Sequence, residues 1–284
     1  MFMPRRIVEK KLLAFLSEDI GEGDISAAAV IPQDLMVKAE VIAKEDGVIA
    51  GIEEAIILAE CLGLKTEPKV VDGHKVKNKQ ILLELSGDAQ TILTAERTLL
   101  NLISRMSGIA TKTHTLTEQL KKAKANIRLA ATRKSAPGLL YFDKKAVIIG
   151  GGDPHRLHLD DMILIKDNHL VITGGVEEAI KRAKTTASFS KKIEVEVTSI
   201  EDALKAAEAG VDIIMLDNFS PKQAKEVVQK LRKSDYAQVL IEISGGVTPE
   251  NLIEYAATDV DVISMGGLTH SVKASDVSLE IVKK

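Results

Sequence analysis

The chain has 284 residues, of which 45% are hydrophobic and 28% are charged, and its formal net charge is −3. That length supports one large domain or two smaller ones, each with its own hydrophobic core. The mildly acidic balance excludes a general attraction to nucleic acid or to an anionic membrane surface. No stretch of the sequence approaches the roughly 20 apolar residues of a membrane span, and no signal-peptide pattern opens the chain.

The cysteine content indicates the redox environment. Cys61 is the single cysteine, so the chain cannot form an intrachain disulfide. We expect a buried, structural thiol rather than a reactive one. A reducing compartment, the cytoplasm, is the expected location.

The first half of the chain, to about residue 105, mixes helical and strand patterns. A long helix is predicted over 88–104, with Asp88 as its N-cap. Apolar spacing further predicts helices over 5–16 and 51–62, and strands over 37–43 and 80–85.

The second half changes to short β-branched runs that alternate with helical stretches. Strands are predicted over 127–131, 162–166, 193–197, 212–216, 239–243 and 260–264. Helices are predicted between most of them, over 176–184, 199–209, 221–232 and 249–257. This order implies parallel strands with right-handed crossovers, as an open doubly wound sheet or an incomplete α/β barrel. No dinucleotide-binding Gly-x-Gly-x-x-Gly follows the first strand, so we favour the barrel.

Polar residues lie at the carboxyl ends of the predicted strands. Barrel enzymes carry out their chemistry at that rim, so several polar strand ends together favour an active site over ordinary polar chain turns. The residues are Arg133, Lys166, Glu196, Asp217 and Ser244.

Two glycine turns follow the last two strands. Ser244-Gly245-Gly246 and Gly266-Gly267 could bind phosphate through their backbone amides, although each alone is also an ordinary turn. Phosphate loops after the last two strands are a recurrent barrel feature.

Carboxylates give a second hypothesis. Glu194 and Glu196 share one face of a strand. Glu196 and Asp217, on neighbouring strand ends, could hold Mg²⁺ through water or stabilise a developing positive charge. For Glu194 we expect an ordinary solvated or salt-bridged carboxylate.

Histidines and arginines need separate interpretations. His155 and His158 are three residues apart, but no cysteine or third histidine nearby completes a zinc set. We interpret His155, next to Arg156, as a hydrogen-bond donor to an anion. Arg97, taken alone, is a surface arginine paired with a nearby glutamate.

The region 132–169 is the most informative. It contains Thr132-Arg133-Lys134-Ser135-Ala136-Pro137-Gly138-Leu139, Gly150-Gly151-Gly152-Asp153-Pro154-His155-Arg156 and Lys166-Asp167-Asn168-His169. Cations on rigid elements suit a small substrate with several negative charges. The whole pattern resembles the quinolinate phosphoribosyltransferases, and the N-terminal 18–26 segment is similar to that family's acidic-glycine signature.

The resemblance implies a fold and an activity. It implies an N-terminal α/β sandwich domain over 1–110, an incomplete α/β barrel over 111–270, and a tail at 271–284 that returns to the first domain. The implied reaction converts quinolinate and phosphoribosyl pyrophosphate, with Mg²⁺, to nicotinate mononucleotide, pyrophosphate and carbon dioxide. The implied assembly is a homodimer, or an assembly of dimers, in which Arg97 enters the partner's active site.

The resemblance also implies residue roles. A cationic bowl for quinolinate would consist of Arg97, Arg133, Lys134, His155, Arg156 and Lys166. Glu196 and Asp217 would lie near the ribose and the metal, and the catalytic set would be Lys134, Lys166, Glu196 and Asp217. The 5-phosphate would lie near Ser244, Gly245, Gly246, Gly266 and Gly267. The sequence departs from the family at Leu140, Lys145 and Pro154, where relatives commonly have arginine, an aromatic residue and asparagine.

Alternative functions remain open at this point. One is a related phosphoribosyltransferase with a different substrate. Another is a barrel lyase in which Lys166 forms a Schiff base with a phosphorylated sugar. A third is an anion-binding or nucleotide-binding protein without catalysis.

Overall fold

The structure is a computed structural model that describes residues 3–282. The chain divides into two compact units. The first contains the described residues up to Lys112 and those from Val272 onward, and the second is Thr113–Ser271. The sequence analysis put the boundary at residue 110.

An antiparallel sheet forms the first unit. Its helices are α1 (Arg5–Ile20), α2 (Ile25–Val30), α3 (Ile52–Cys61) and the part of α4 (Ala89–Lys122) up to Lys112. Its strands are β1 (Met36–Ala43), β2 (Gly47–Val48), β3 (Lys65–Pro68), β4 (Lys75–Val76), β5 (Ile81–Asp88) and, late in the chain, β12 (Val277–Ile281). The four-stranded order is β12-β1-β5-β3, while β2 pairs only with β4 among the described strands. Residues alternate along β1 and β5, so one face of the sheet buries Val41, Leu83 and Leu85.

Three sequence expectations in this unit need correction. Cys61 is exposed rather than buried, because it is the last residue of α3, beyond the buried stretch that ends at Ala59. The helix predicted over 5–16 continues to Ile20, and the helix predicted over 88–104 continues to Lys122. The longer α4 is explained by buried residues that continue at helical spacing, at Met106, Ala110, Thr113 and Leu120.

The second unit contains six parallel strands, as predicted. They are β6 (Arg128–Ala130), β7 (Ile163–Ile165), β8 (Ile193–Val197), β9 (Ile213–Asp217), β10 (Leu240–Ser244) and β11 (Val262–Ser264), in the order β6-β11-β10-β9-β8-β7. The first strand pairs with the last and the others follow in sequence, which is the order of a barrel rather than of a doubly wound sheet. Because β6 and β7 are the two ends of that order, the barrel is incomplete, and the predicted fold class is confirmed.

Helices connect these strands. The predicted connections are α7 (Val176–Thr186), α8 (Ile200–Glu208), α9 (Pro221–Arg232) and α10 (Leu252–Ala256), and the sequence analysis missed α5 (Leu140–Ile149) and α6 (Asp167–Thr173). Both missed helices are short, and α5 follows Pro137-Gly138, a turn signal. No helix within residues 3–282 is long and apolar enough to cross a membrane.

The chain after α5 runs along the open side of β6. The amide of Asp153 donates to the Leu129 carbonyl at 2.8 Å, and the Ala131 amide donates to the Asp153 carbonyl at 2.9 Å. A parallel bridge therefore joins Ala130 to Asp153. The segment that carries His155 and Arg156 is thus attached to the end of the first barrel strand.

We predict that Asp88→Ala lowers the free energy of unfolding by about 1 kcal/mol, the usual cost of losing a helix N-cap. The Asp88 Oδ2 atom accepts hydrogen bonds from the Thr91 amide and the Thr91 hydroxyl, both at 2.9 Å, at the start of α4. Urea denaturation measures the loss. The control is Asp88→Asn, which keeps an acceptor oxygen; an equally large loss in that variant would contradict a capping role.

Candidate active site

One cavity of about 570 Å³ lies at the carboxyl ends of the barrel strands. Neighbouring parallel strands in register point their side chains to the same face, and Glu196, Met215 and Glu242 are aligned partners on β8, β9 and β10. All three line the cavity. The strand register therefore determines which polar side chains meet inside the barrel.

The cavity brings together most of the residues that the sequence predicted. These are Arg133, Lys134, His155, Arg156, Lys166, Glu196, Asp217, Ser244, Gly245 and Gly246. Gly266 and Gly267 lie in a 3₁₀ turn after β11, and Gly266 is next to the Lys134 side chain. Arg97 lies in the first unit, on α4, and is exposed.

Cations and carboxylates pair on the wall of the cavity. The Lys166 Nζ atom donates to Glu196 Oε2 at 2.5 Å. The Asn218 side-chain amide donates to Asp217 Oδ2 at 2.7 Å. Burial, followed by the nearby charge of Glu196, raises the pKa of Asp217 above its usual value. The two carboxylates are thus close enough to influence each other, and their oxygens suit a hard divalent cation such as Mg²⁺.

His155 forms a buried cluster at the base of the cavity. Its Nε2 atom lies 3.0 Å from Glu242 Oε2 and 3.6 Å from Glu194 Oε2. Its Nδ1 atom accepts the Arg156 amide at 2.8 Å, so the ring proton is on Nε2 and points to Glu242. Burial lowers the pKa of His155, but the hydrogen bond and negative charge of Glu242, with the charge of Glu194, together raise it above the usual value.

Glu194 was expected to be solvated or salt-bridged, and the solvated state is wrong, whereas its Oε2 atom lies within ion-pair distance of His155. This carboxylate is fully buried rather than solvated, and neither of its oxygens has a hydrogen-bond partner. Burial, followed by the charge of Glu242, raises its pKa well above the usual range. The ligand atoms of His155, Glu194 and Glu242 lie within 4.8 Å of one another, a spacing that a metal could bridge. The positive charges of His155, Arg156 and Lys166 oppose this rise but do not cancel it.

Two glycines are required by close packing. A Cβ atom at Gly152 would lie 2.7 Å from Thr113 Cγ2 and 2.9 Å from Val147 Cγ1, so the third glycine of Gly150-Gly151-Gly152 lets the chain reach the edge of β6. Gly245 has φ +80°, and a Cβ atom there would meet Asn218 Oδ1 and lie 2.9 Å from Asp217 Oδ1. The turn after β10 therefore packs directly against the polar end of β9.

Comparison with known proteins follows the same division of the chain. The model of the quinolinate phosphoribosyl transferase N-terminal domain matches residues 24–107, and that of the C-terminal domain matches residues 109–280. The chain belongs to the quinolinate phosphoribosyltransferase family. The sequence resemblance carried by residues 132–169 is therefore confirmed.

Curated relatives and solved structures agree. The chain is 46% identical over 264 residues to a probable nicotinate-nucleotide pyrophosphorylase [carboxylating] of Methanothermobacter thermautotrophicus, covering 93% of this chain and 95% of that protein. It is 41% identical to the nicotinate-nucleotide pyrophosphorylase [carboxylating] of Mycobacterium leprae, covering 94% of each. The structure of the Francisella tularensis nicotinate-nucleotide pyrophosphorylase superposes with a TM-score of 0.91 at 36% identity, covering 99% of this chain and 98% of that one.

Sequence reasoning gave no role to several residues of this site or next to it. Glu242 and Ser264 line the cavity, and Lys144 lies beneath the segment that carries His155. Glu242 could have been found, because it precedes Ser244 by two residues on one strand and so shares its face. Lys144 gave no such signal, since its helix was not predicted.

We predict that Gly245→Ala destabilises the fold more than Gly174→Ala. Both glycines have positive φ, +80° and +87°, but nothing lies within 4 Å of a Cβ atom at Gly174. The control variant should lose about 1 kcal/mol from backbone strain, and Gly245→Ala about 1–3 kcal/mol more from overpacking. Urea denaturation gives both values. Equal losses would show that crowding against Asp217 and Asn218 is unimportant.

Proposed function

We propose that this chain converts quinolinate and phosphoribosyl pyrophosphate to nicotinate mononucleotide, pyrophosphate and carbon dioxide, a step of NAD biosynthesis. One observation carries the proposal: four cations, three carboxylates and a Ser-Gly-Gly turn line a single cavity of about 570 Å³. That volume suits a small-molecule site. The names of the relatives support the same reaction.

Quinolinate would bind to the cations of the cavity. Arg133 and Arg156 can each hold a carboxylate with two parallel hydrogen bonds, and Lys134 and Lys166 add positive charge to the same cavity. The His155 ring, directed by Glu242, completes this bowl. A rigid arrangement of this kind orients the pyridine nitrogen for attack without reorganisation during the reaction.

The phosphoribosyl group would bind to the glycine turns. Ser244-Gly245-Gly246 lines the cavity, and its backbone amides and hydroxyl suit the 5-phosphate. The Gly266-Gly267 turn, next to Lys134, would complete the phosphate site. The ribose would then lie over the carboxylates of β8 and β9.

Transfer would proceed by displacement at the anomeric carbon. The bond to pyrophosphate breaks as the pyridine nitrogen bonds to that carbon, and the transition state has oxocarbenium character. Glu196 and Asp217 stabilise that positive charge. Their oxygens fit Mg²⁺, held directly or through water, and the bound ion would neutralise the departing pyrophosphate.

Decarboxylation follows from the charge that transfer creates. The ring nitrogen becomes positively charged, so the bond to the adjacent carboxylate breaks with its electron pair left on the ring carbon. A proton from water then fills that position, and nicotinate mononucleotide and carbon dioxide are released. Lys134 and Lys166 hold the substrate carboxylates during these steps and form the catalytic set with Glu196 and Asp217.

The lyase alternative is less well supported. A Schiff-base lysine must become a neutral nucleophile, whereas the Lys166 ammonium is held by Glu196 at 2.5 Å. Borohydride would trap a covalent sugar adduct on Lys166 if that alternative were correct.

Cellular context follows from the same features. The free thiol of Cys61 suits a reducing compartment, so we place the reaction in the cytoplasm. The substrates carry the negative charges that the cavity accepts, and no nucleic acid or membrane partner is needed.

We predict that the purified protein with Mg²⁺ and phosphoribosyl pyrophosphate turns over quinolinate but uses nicotinate at least 100-fold less efficiently. A monocarboxylate leaves cations of the bowl without a partner, so the charged hydrogen bonds to the second carboxylate are lost. Chromatography of nicotinate mononucleotide and release of labelled carbon dioxide measure the two reactions. Absence of product from quinolinate would refute the proposed function, and comparable turnover of nicotinate would refute the proposed specificity.

We predict that Arg97 acts in the partner's site of a dimer. Arg97→Ala and Lys166→Ala chains should each be nearly inactive alone. After subunit exchange about half of the dimers are mixed, each with one intact site, so roughly a quarter of wild-type activity should return. The control mixes Lys166→Ala with Glu196→Gln, two changes within one cavity, which restore no intact site if Arg97 alone crosses between subunits. Confirmed exchange without recovery for the first pair would show that Arg97 does not act in trans.

A further inference from the structure

Lys144 lies where a charged side chain is costly. It is on α5, its relative exposure is 0%, and burial of an unpaired ammonium is strongly unfavourable. Its Nζ atom donates to two backbone carbonyls, those of Pro154 and Arg156, the latter at 3.3 Å. These two carbonyls flank His155 on either side.

The segment that Lys144 holds has a conformation that needs support. His155 has φ +53°, in the left-handed region that residues other than glycine rarely adopt. Its amide donates to Asp153 Oδ1 at 2.7 Å, and its ring is directed to Glu242. The Lys144 ammonium is the contact that joins the carbonyls before and after this strained residue.

Packing alone does not explain a lysine at this position. A methionine has nearly the same length, would fill the space without desolvating a charge, and is a common filler of protein cores. A buried ammonium gives instead a charge-assisted hydrogen bond to each carbonyl. The charge therefore stabilises the backbone conformation of residues 153–156, whereas filling the core would not require it.

We infer that Lys144 is a positioning residue for quinolinate binding: its ammonium clamps the Pro154 and Arg156 carbonyls, so that His155 and Arg156 face the cavity. The inference rests on the proposed function, because it assigns these two residues to the dicarboxylate. Lys144 does not line the cavity and acts only through the segment above it.

A pH dependence follows from this burial. Burial lowers the pKa of Lys144 to about 8. Asp153 and Asp143 raise it, while Arg133 and Arg156 lower it, and His155 faces the same ammonium. Below pH 8 the ammonium is charged and the clamp is strong. Above it the neutral amine is a weaker donor, so the KM for quinolinate should rise as the pH passes about 8.

The test compares Lys144→Met with Lys184→Met. Lys184 also donates to a backbone carbonyl, that of Ala209 at 2.6 Å, but it is exposed and outside the cavity lining. Steady-state kinetics with quinolinate and phosphoribosyl pyrophosphate are measured for each protein from pH 6.5 to 9.5. At pH 7 we expect Lys144→Met to raise the KM for quinolinate about tenfold, the effect of losing one charged hydrogen bond.

The other parameters separate positioning from general damage. The KM for phosphoribosyl pyrophosphate should stay within about twofold of wild type, and the rise in the quinolinate KM near pH 8 should be smaller in Lys144→Met than in wild type. Lys184→Met should match wild type throughout. An unchanged quinolinate KM at pH 7, or equal increases in both KM values, would overturn the inference.

Two further outcomes are distinguishable. If Lys144→Met does not fold, Lys144→Gln decides, because its neutral amide is a shorter and weaker donor: a raised quinolinate KM with an unchanged KM for phosphoribosyl pyrophosphate supports the clamp, and an unchanged quinolinate KM overturns it. If wild type forms no nicotinate mononucleotide, the proposed function fails. If wild type is active and Lys144→Met has the same quinolinate KM, the positioning role of Lys144 is wrong and the proposed function stands.

Discussion

Charge compensation inside the mouth of the barrel is the constraint on which the rest of the site depends. One cavity is lined by four cationic side chains, those of Arg133, Lys134, Arg156 and Lys166. Like charges that share a partly desolvated space repel one another. Carboxylates on the central strands pair with two positively charged or protonatable groups of the cavity. Glu196 accepts a hydrogen bond from Lys166, and Glu242 lies at hydrogen-bond distance from His155. Because Glu196 and Glu242 lie on rigid strands, Lys166 and His155 keep their places before any substrate arrives. A dianionic ligand therefore meets donors whose positions are already set.

A loop segment covers the edge of β6 on the open side of the barrel. The parallel order leaves β6 and β7 unpaired with each other, and the 150–156 segment occupies the edge of β6 through the Asp153 bridge. Because Gly152 has no side chain, this segment can lie close to the edge of β6. The buried Lys144 holds the backbone carbonyls of the residues that follow. The unpaired edge of the sheet thus supports the segment that carries His155 and Arg156.

The sequence anticipated the parts of this arrangement that depend on local pattern. The six strands were predicted within two residues at each end, and Lys166, Glu196, Asp217 and Ser244 followed from their positions at strand ends. The buried charges were missed because their state depends on contacts between distant residues. Glu194 alternates along its strand like any half-exposed residue, and only the packed barrel shows that it is buried. The prediction that Cys61 is buried was wrong for a different reason. It used the average burial of cysteines, which does not show whether a cysteine at the end of a helix faces the core or the solvent.

The pairing of β1 with β12 affects how the chain matures during synthesis. Ala39 pairs with Ile281, so this ladder joins segments from opposite ends of the sequence. The barrel residues, Thr113–Ser271, leave the ribosome before β12 does. Domains generally fold as units during synthesis, and the barrel can therefore collapse while β1 still has an open edge. An open strand edge is a template for wrong pairing with other chains, so the nascent protein is exposed to aggregation until β12 emerges.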